Sequence, residues 1–221
     1  MNSIHHQTFP GKRFMIGFLG IAILAGTPKV KATVKSPASF STPRTATQES
    51  FPDMPTYNIF TKEELERDFW RLQYDAPLDH PELGFLLIVP KIWEEVPLKV
   101  SRDAFEPDDE NIISLALVRA PDNKVQVEVA YCRVPETIDL EAWARAYLNG
   151  TSLELLRFQV GTFSGRQVFD TLLTAPGNYK VRMTFSLHGD KIFIVSGSAP
   201  ASLYEKYMKI FGVAVVSFHK M

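Results

Sequence analysis

From Tyr179 to Leu187 the chain alternates without a break. Tyr179, Val181, Met183, Phe185 and Leu187 are apolar, and Lys180, Arg182, Thr184 and Ser186 between them are polar. Successive side chains of a strand point to opposite faces, so this pattern predicts a strand with one face on a core and the other in water. His188-Gly189-Asp190 is a short turn into Lys191–Ser196, which makes the two strands antiparallel neighbours. Asp122-Asn123 joins Ile112–Arg119 to Val125–Arg133 in the same way. Strands over Glu154–Val160 and Arg166–Thr174 complete the set, joined by a Gly161–Gly165 turn in which glycine supplies the positive φ that tight turns need.

A different signal marks Gly84-Phe85-Leu86-Leu87-Ile88-Val89-Pro90-Lys91-Ile92-Trp93. Its apolar run is too short for a helix and is closed by a proline that cannot donate to a central ladder, so it reads as a buried strand. Three helices are predicted around these strands. The first is capped by Thr61, with Glu64 completing a capping box, Phe60 and Leu65 at the staple positions, and a buried stripe of Leu65, Phe69 and Leu72. Another follows Asp139, with Leu140, Trp143, Ala144, Tyr147 and Leu148 on one face and Asn149-Gly150 as the stop. The last follows Pro200 and turns Leu203, Tyr207, Phe211 and Val215 towards the core. The order is helix, strand, two strands, helix, four strands, helix. That grouping predicts an α+β fold: a central antiparallel sheet flanked by helices.

At the front of the chain, Lys12-Arg13 precedes an apolar run from Phe14 to Gly26, followed by Val30-Lys31-Ala32. This is the pattern of a secretory signal peptide over residues 1–32. The alternative is an uncleaved inner-membrane anchor, but a span needs about 20 apolar residues and the run is shorter. Residues 33–58, rich in Ser, Thr and Pro with no sustained period, read as a flexible arm, and 59–221 as one domain. The full chain carries 24 basic and 25 acidic residues, and removal of Lys12, Arg13, Lys29 and Lys31 with the signal moves its net charge from −1 to −5. No run of Lys or Arg supplies the basic face a nucleic-acid binder needs to displace counterions. Cys132 is the single cysteine, so the fold has no intramolecular disulfide, and its apolar surroundings mark it as a small core filler.

Gly84, Phe85, Pro90 and Trp93, with Ser217-Phe218 near the end and Gly189-Asp190-Lys191 leading into a late strand, resemble the motifs of the PsbP, Mog and DcrB superfamily. The resemblance covers Phe69 to Phe218. It implies a PsbP-like α/β/α sandwich and a protein that works by binding larger assemblies, without a shared catalytic centre. Members serve as extrinsic photosystem II subunits, nuclear transport accessory proteins and bacterial envelope lipoproteins. The signal points to the envelope branch and a bacterial periplasmic location, and the absence of a lipobox cysteine directly after the signal departs from the lipoprotein members.

Few residues suggest chemistry. Gly161-Thr162-Phe163-Ser164-Gly165 places its serine one position late for a nucleophile elbow, and it joins two strands where the elbow leads from a strand into a helix. His80, His188 and His219 have no partner at metal spacing. Glu106, Asp108, Asp109 and Glu110 lack the glycine and distal glutamate of a calcium loop and read as a solvated acidic loop. Asn149-Gly150-Thr151 matches a glycosylation sequon but reads as a helix stop. No catalytic, cofactor-binding or metal-binding residue is assigned.

The expected function is therefore that of an exported, non-enzymatic accessory subunit docking onto a larger cell-envelope complex of the secretion, conjugation or photosynthetic kind. Its expected partners are protein subunits, with peripheral membrane association as a further option and no nucleic acid or cofactor. The candidate contact surfaces are the polar face of the Tyr179 strand, the acidic loop and the aromatic arm with Phe40, Phe51 and Tyr57. The alternative is an envelope hydrolase or small-ligand-binding protein with a sheet–helix cleft using Ser164, His188 or the acidic loop.

Overall fold

The computed structural model describes residues 33–34, 60–98, 111–163 and 165–221. The predicted signal, most of the arm, the acidic loop and Ser164 lie outside them. All strand pairing among the described residues is antiparallel and falls into two sheets. The large sheet holds seven strands in the order β4 (Glu94–Glu95), β5 (Ile113–Arg119), β6 (Gln126–Arg133), β10 (Lys191–Pro200), β9 (Tyr179–His188), β8 (Arg166–Ala175) and β7 (Glu154–Phe163). The small sheet runs β1 (Thr33–Val34), β2 (Phe69–Tyr74), β3 (Phe85–Pro90) and β11 (His219–Lys220). The helices are α1 (Lys62–Asp68), α2 (Leu140–Asn149) and α3 (Ala201–Ser217).

The hairpins read from the turns are present; β7 to β10 run further than the sequence pattern suggested, whereas β5 and β6 each begin one residue later. Asn123 and Gly189 take the positive φ their turns require, 57° and 64°. The capping box at Thr61 and Glu64 is formed, with reciprocal bonds of 3.1 and 2.7 Å. Asp139 caps α2 by accepting from the backbone of Glu141 and Ala142. Gly150 ends that helix, with its N–H on the Ala146 and Tyr147 carbonyls, in right-handed rather than left-handed backbone.

Three expectations are corrected. The first helix stops at Asp68, and Phe69 and Leu72 belong to β2, where six residues pair with β3 from Phe69↔Pro90 to Tyr74↔Phe85. An apolar offset of three or four suits either element, and the ladder of a Phe-Trp-Arg-Leu-Gln-Tyr segment outweighs continuation of a helix that buries no residue. Phe60 accordingly packs edge-on against Phe69, at 4.9 Å between ring centroids. In α3 Phe211 is buried and Tyr207 and Val215 pack partly buried on the core as expected, but Leu203 is only half-buried, and the fully buried positions include Tyr204, Val213 and Ala214, followed by Phe218 beyond the helix. Finally, β9 is covered on both faces, so its polar side does not meet water.

Two apolar cores explain that last point. One lies between a face of the large sheet, α3 and the small sheet, and it contains Phe85, Leu87, Val127, Phe193 and Phe211. The other joins the opposite face, through Phe169, Met183, Phe185 and Ile194, to Leu140, Ala144 and Leu148 of α2. The Gly84–Trp93 run therefore forms the strand between β2 and β11 in the small sheet, and Trp93 is buried 6.2 Å from the Tyr207 ring of α3. Glycine is required at 197: a Cβ there would lie 2.3 Å from Phe211 Cδ1, so β10 lets α3 settle directly onto the sheet.

Candidate functional site

Beneath the start of α3 the polar side of β9 meets a carboxylate on β8. Asp170 and Arg182 are 1% and 2% exposed. Arg182 Nε and Nη2 donate to the two carboxylate oxygens at 3.2 and 2.8 Å, and Thr184 Oγ1 donates to Oδ1 at 2.5 Å. The β8–β9 register places Thr184 opposite Asp170 and Arg182 opposite Leu172, so the guanidinium reaches the acid diagonally. Arg182 Nη1 is buried without a hydrogen-bond partner among the described residues. Above this group Tyr204 is buried, which pushes its phenol up to about 12, and Lys180 pairs with Glu205 at 3.8 Å. The arrangement ties three polar groups to one another under a helix; it is a structural lock with no open reacting atom. The signal for it was Asp170 itself, a carboxylate amid Val168, Phe169, Leu172 and Leu173, which demands a buried cation.

Of the residues named from the sequence, His188 is the most constrained. It ends β9 half-buried, with Nε2 3.1 Å from Ser186 Oγ and its ring edge-on to Phe193 and Phe218. Burial first, then the positive charges of Arg166, Lys220 and His219, push its imidazole down to about 4. The structure thus gives His188 a serine partner other than Ser164. An acyl-transfer pair also needs a third group to orient the base, and no carboxylate bonds His188 among the described residues. His219 is exposed, and His80 Nδ1 lies 2.9 Å from Glu82. Cys132 is fully buried. Thr151 donates to the Leu148 carbonyl at 2.7 Å, a helix-terminal role for the sequon threonine.

A second carboxyl, on the other face of the sheet, is half-buried. Burial pushes Glu128 above the usual carboxylate range, offset in part by the hydroxyl of Ser114, with which it is hydrogen-bonded. A β-bulge between Ser114 and Ala116 re-aims β5 at that point.

The two edges of the large sheet differ sharply. At one, β4 is two exposed glutamates, the short charged edge that discourages further pairing. At the other, β7 is ten residues long, and from Arg157↔Leu172 to Phe163↔Arg166 its register on β8 is unbroken. Phe158-Gln159-Val160-Gly161-Thr162-Phe163 contains neither a charge nor a proline. Phe158 and Val160 share one face and are 46% and 43% exposed. Phe158 is braced from behind by Phe169, 5.6 Å away, and by the Arg145 guanidinium of α2, 3.9 Å from its ring centroid.

No protein-family model matches the chain, and no curated protein sequence matches it. Solved structures do. The solution structure of cyanobacterial PsbP from Synechocystis aligns with a TM-score of 0.51 at 12% identity, covering 70% of this chain and 93% of that one. A Bacteroides thetaiotaomicron protein aligns at 0.40 and 13% identity, over 67% of this chain and 48% of its own. A Pseudomonas aeruginosa protein of unknown function aligns at 0.38 and 12% identity, over 57% and 94%. The latter two alignments add nothing to the fold assignment. Among the described residues no helix is long and apolar enough to cross a membrane. The α+β arrangement, the antiparallel seven-stranded sheet and the alignment with the cyanobacterial protein agree: this chain has a PsbP-like fold.

Proposed function

We propose that this protein is an exported, non-enzymatic accessory subunit that docks onto a larger cell-envelope complex. In this reading its PsbP-like α/β/α sandwich presents β7 to an extended segment of a partner subunit. Residues 1–32 direct export to the bacterial periplasm and are removed after Ala32. Residues 33–58 form the arm, whose first two residues, Thr33 and Val34, pair with β2 opposite Gln73 and Leu72. The observation that carries the proposal is the contrast between the two-residue charged β4 edge and the ten-residue β7 edge, which is free of charge from Phe158 to Phe163. A strand added to β7 gains main-chain hydrogen bonds, and its alternate side chains gain Phe158 and Val160 as an apolar seat.

Extraction of the tagged full chain from cell envelopes under mild conditions tests this. A stoichiometric partner protein should come with the wild type and be lost with Val160→Lys, a variant that leaves the core untouched. A partner-free wild type sinks the subunit reading, whereas recovery undiminished by Val160→Lys sinks the docking edge alone.

A further inference from the structure

At the end of the large sheet next to the last strand, four neighbouring strands carry a basic residue on the same face. Lys191 lies opposite both His188 and Arg133 in the ladder. Two residues beyond the Val168↔Ser186 pair, the same register brings Arg166 of β8 beside His188. Arg166, His188, Lys191 and Arg133 thus form one row across β8, β9, β10 and β6. Like charges directly opposite one another cost stability, so such a row calls for compensation. Part of it is met within the protein: Asp190 takes Lys191 at 2.5 Å and Arg133 at 3.3 Å. Glu82, whose carboxyl feels the charge of Lys191, is hydrogen-bonded to His80.

Nothing comparable serves the other half of the row. Arg166 has no ion pair among the described residues. The chain then adds a further cation, because Lys220 of β11 pairs opposite Phe85 and so shares the face of the small sheet that packs on the large one. His219 is held down first by burial and then by the nearby charges of Arg166 and Arg71. His188 turns Nε2 to the Ser186 hydroxyl, and its Nδ1 has no protein partner among the described residues. The groups left over are a guanidinium, an ammonium and a ring nitrogen at one end of the sheet, with Arg166 and Lys220 near enough to His188 for their charges to act on its ring.

We propose that Arg166, His188 and Lys220 form a binding site for an oxyanion, a carboxylate or phosphate group, seated between the end of β8–β9 and β11. Arg166 offers a planar fork suited to two oxygens of such a group, Lys220 a point charge, and His188 a ring N–H once protonated. Phe193 and Phe218 wall the inner side and keep the anion at the rim. This site is independent of the β7 docking edge.

The test follows the His188 imidazole by NMR in the full chain, titrating inorganic phosphate and, separately, acetate against sodium chloride at equal ionic strength. A bound anion should give saturable shifts at His188 and Ser186, on the order of millimolar, and raise the His188 midpoint by about half a unit or more. Arg166→Gln and Lys220→Gln should each weaken the response about fivefold or more, while Lys62→Gln on α1 leaves it unchanged. The phosphate and acetate arms distinguish which oxyanion is preferred. A response equal to that of chloride, or one that survives both Arg166→Gln and Lys220→Gln, overturns the site. If either variant is misfolded by circular dichroism, Arg166→Lys replaces it: it keeps the charge and loses the fork, and binding reduced but not abolished supports the assignment, whereas unchanged binding argues against it.

Discussion

The backbone N–H of Ile88 donates to the hydroxyl of Ser217 at 2.9 Å, across 129 residues of sequence. The same hydroxyl donates to the Ala214 carbonyl at 3.2 Å, so it closes α3 and anchors β3 at once. One residue on, Phe218 packs 5.7 Å from Phe85, and the Met221 N–H reaches the Gly84 carbonyl at 2.8 Å. The Gly84–Trp93 run and the Ser217-Phe218 pair are therefore two halves of one contact. Ser217→Ala should leave the Ile88 N–H without its acceptor and cost about 1 to 2 kcal/mol. Urea unfolding with an unchanged m-value would show it; a midpoint equal to wild type would refute the anchoring role.

Replacing Asp170 by Ala leaves the Arg182 guanidinium buried with no carboxylate, a change that typically costs about 3 to 5 kcal/mol. The double variant Asp170→Leu with Arg182→Met removes both charges and should recover much of that loss. Chemical denaturation of the single and double variants decides the matter. If Asp170→Ala is as stable as wild type, water reaches the pair and the lock does not exist.

Gly197→Ala places a methyl group 2.3 Å from the Phe211 ring. Either the ring or the helix must move, at a cost of about 1 to 3 kcal/mol for overpacking. A second change, Phe211→Leu, opens space and should make Gly197→Ala less damaging than it is alone. Additive losses in thermal melts would contradict the close approach.

Acid should weaken the fold through His188. Its imidazole is pushed from an ordinary 6.5 down to about 4, chiefly by burial, so the unfolded chain takes up the proton first as pH falls. Stability from the neutral ring is complete above 6.5 and is lost as pH drops through the window down to 4. For a group this exposed, solvent screening limits the loss to on the order of 1 kcal/mol. In buffers free of phosphate and acetate, His188→Phe should flatten the stability profile across that window; an unchanged slope would assign the effect to other groups.

Glu128 acts in the opposite sense. Burial raises its carboxyl, so the protonated form is favoured in the folded state, and stability falls as pH rises from the ordinary carboxylate range through the raised value. Glu128→Gln keeps an acceptor for the Ser114 hydroxyl without the charge and should stabilise the protein at neutral pH, with the gain vanishing in acid. Thermal melts at both pH values test this, and a destabilised Gln variant at neutral pH would count against it.

What the chain determined by itself is local. The Asn123 and Gly189 turns, the capping box at Thr61 and the Asp139 cap all depend on residues within a few positions of one another, where hydrogen bonds and backbone preferences act without help from the rest of the fold. Alternation likewise located most strands, and the helical spacing of Leu140, Trp143, Ala144, Tyr147 and Leu148 located α2. The tertiary structure decided everything that rests on distant pairing. It turned Phe69–Tyr74 from helix to strand because β3 offered a ladder, and it set β10 between β6 and β9. By laying α3 on β10 over Gly197 it buried the polar side of β9, converting an apparent water-facing surface into the Asp170–Arg182 lock. The same choice of strand order left β7 as the open edge and brought Arg166, His188 and Lys220 together. Alternation records only that a strand has two faces; what covers each face depends on contacts made by segments far along the chain, and no local pattern carries that information.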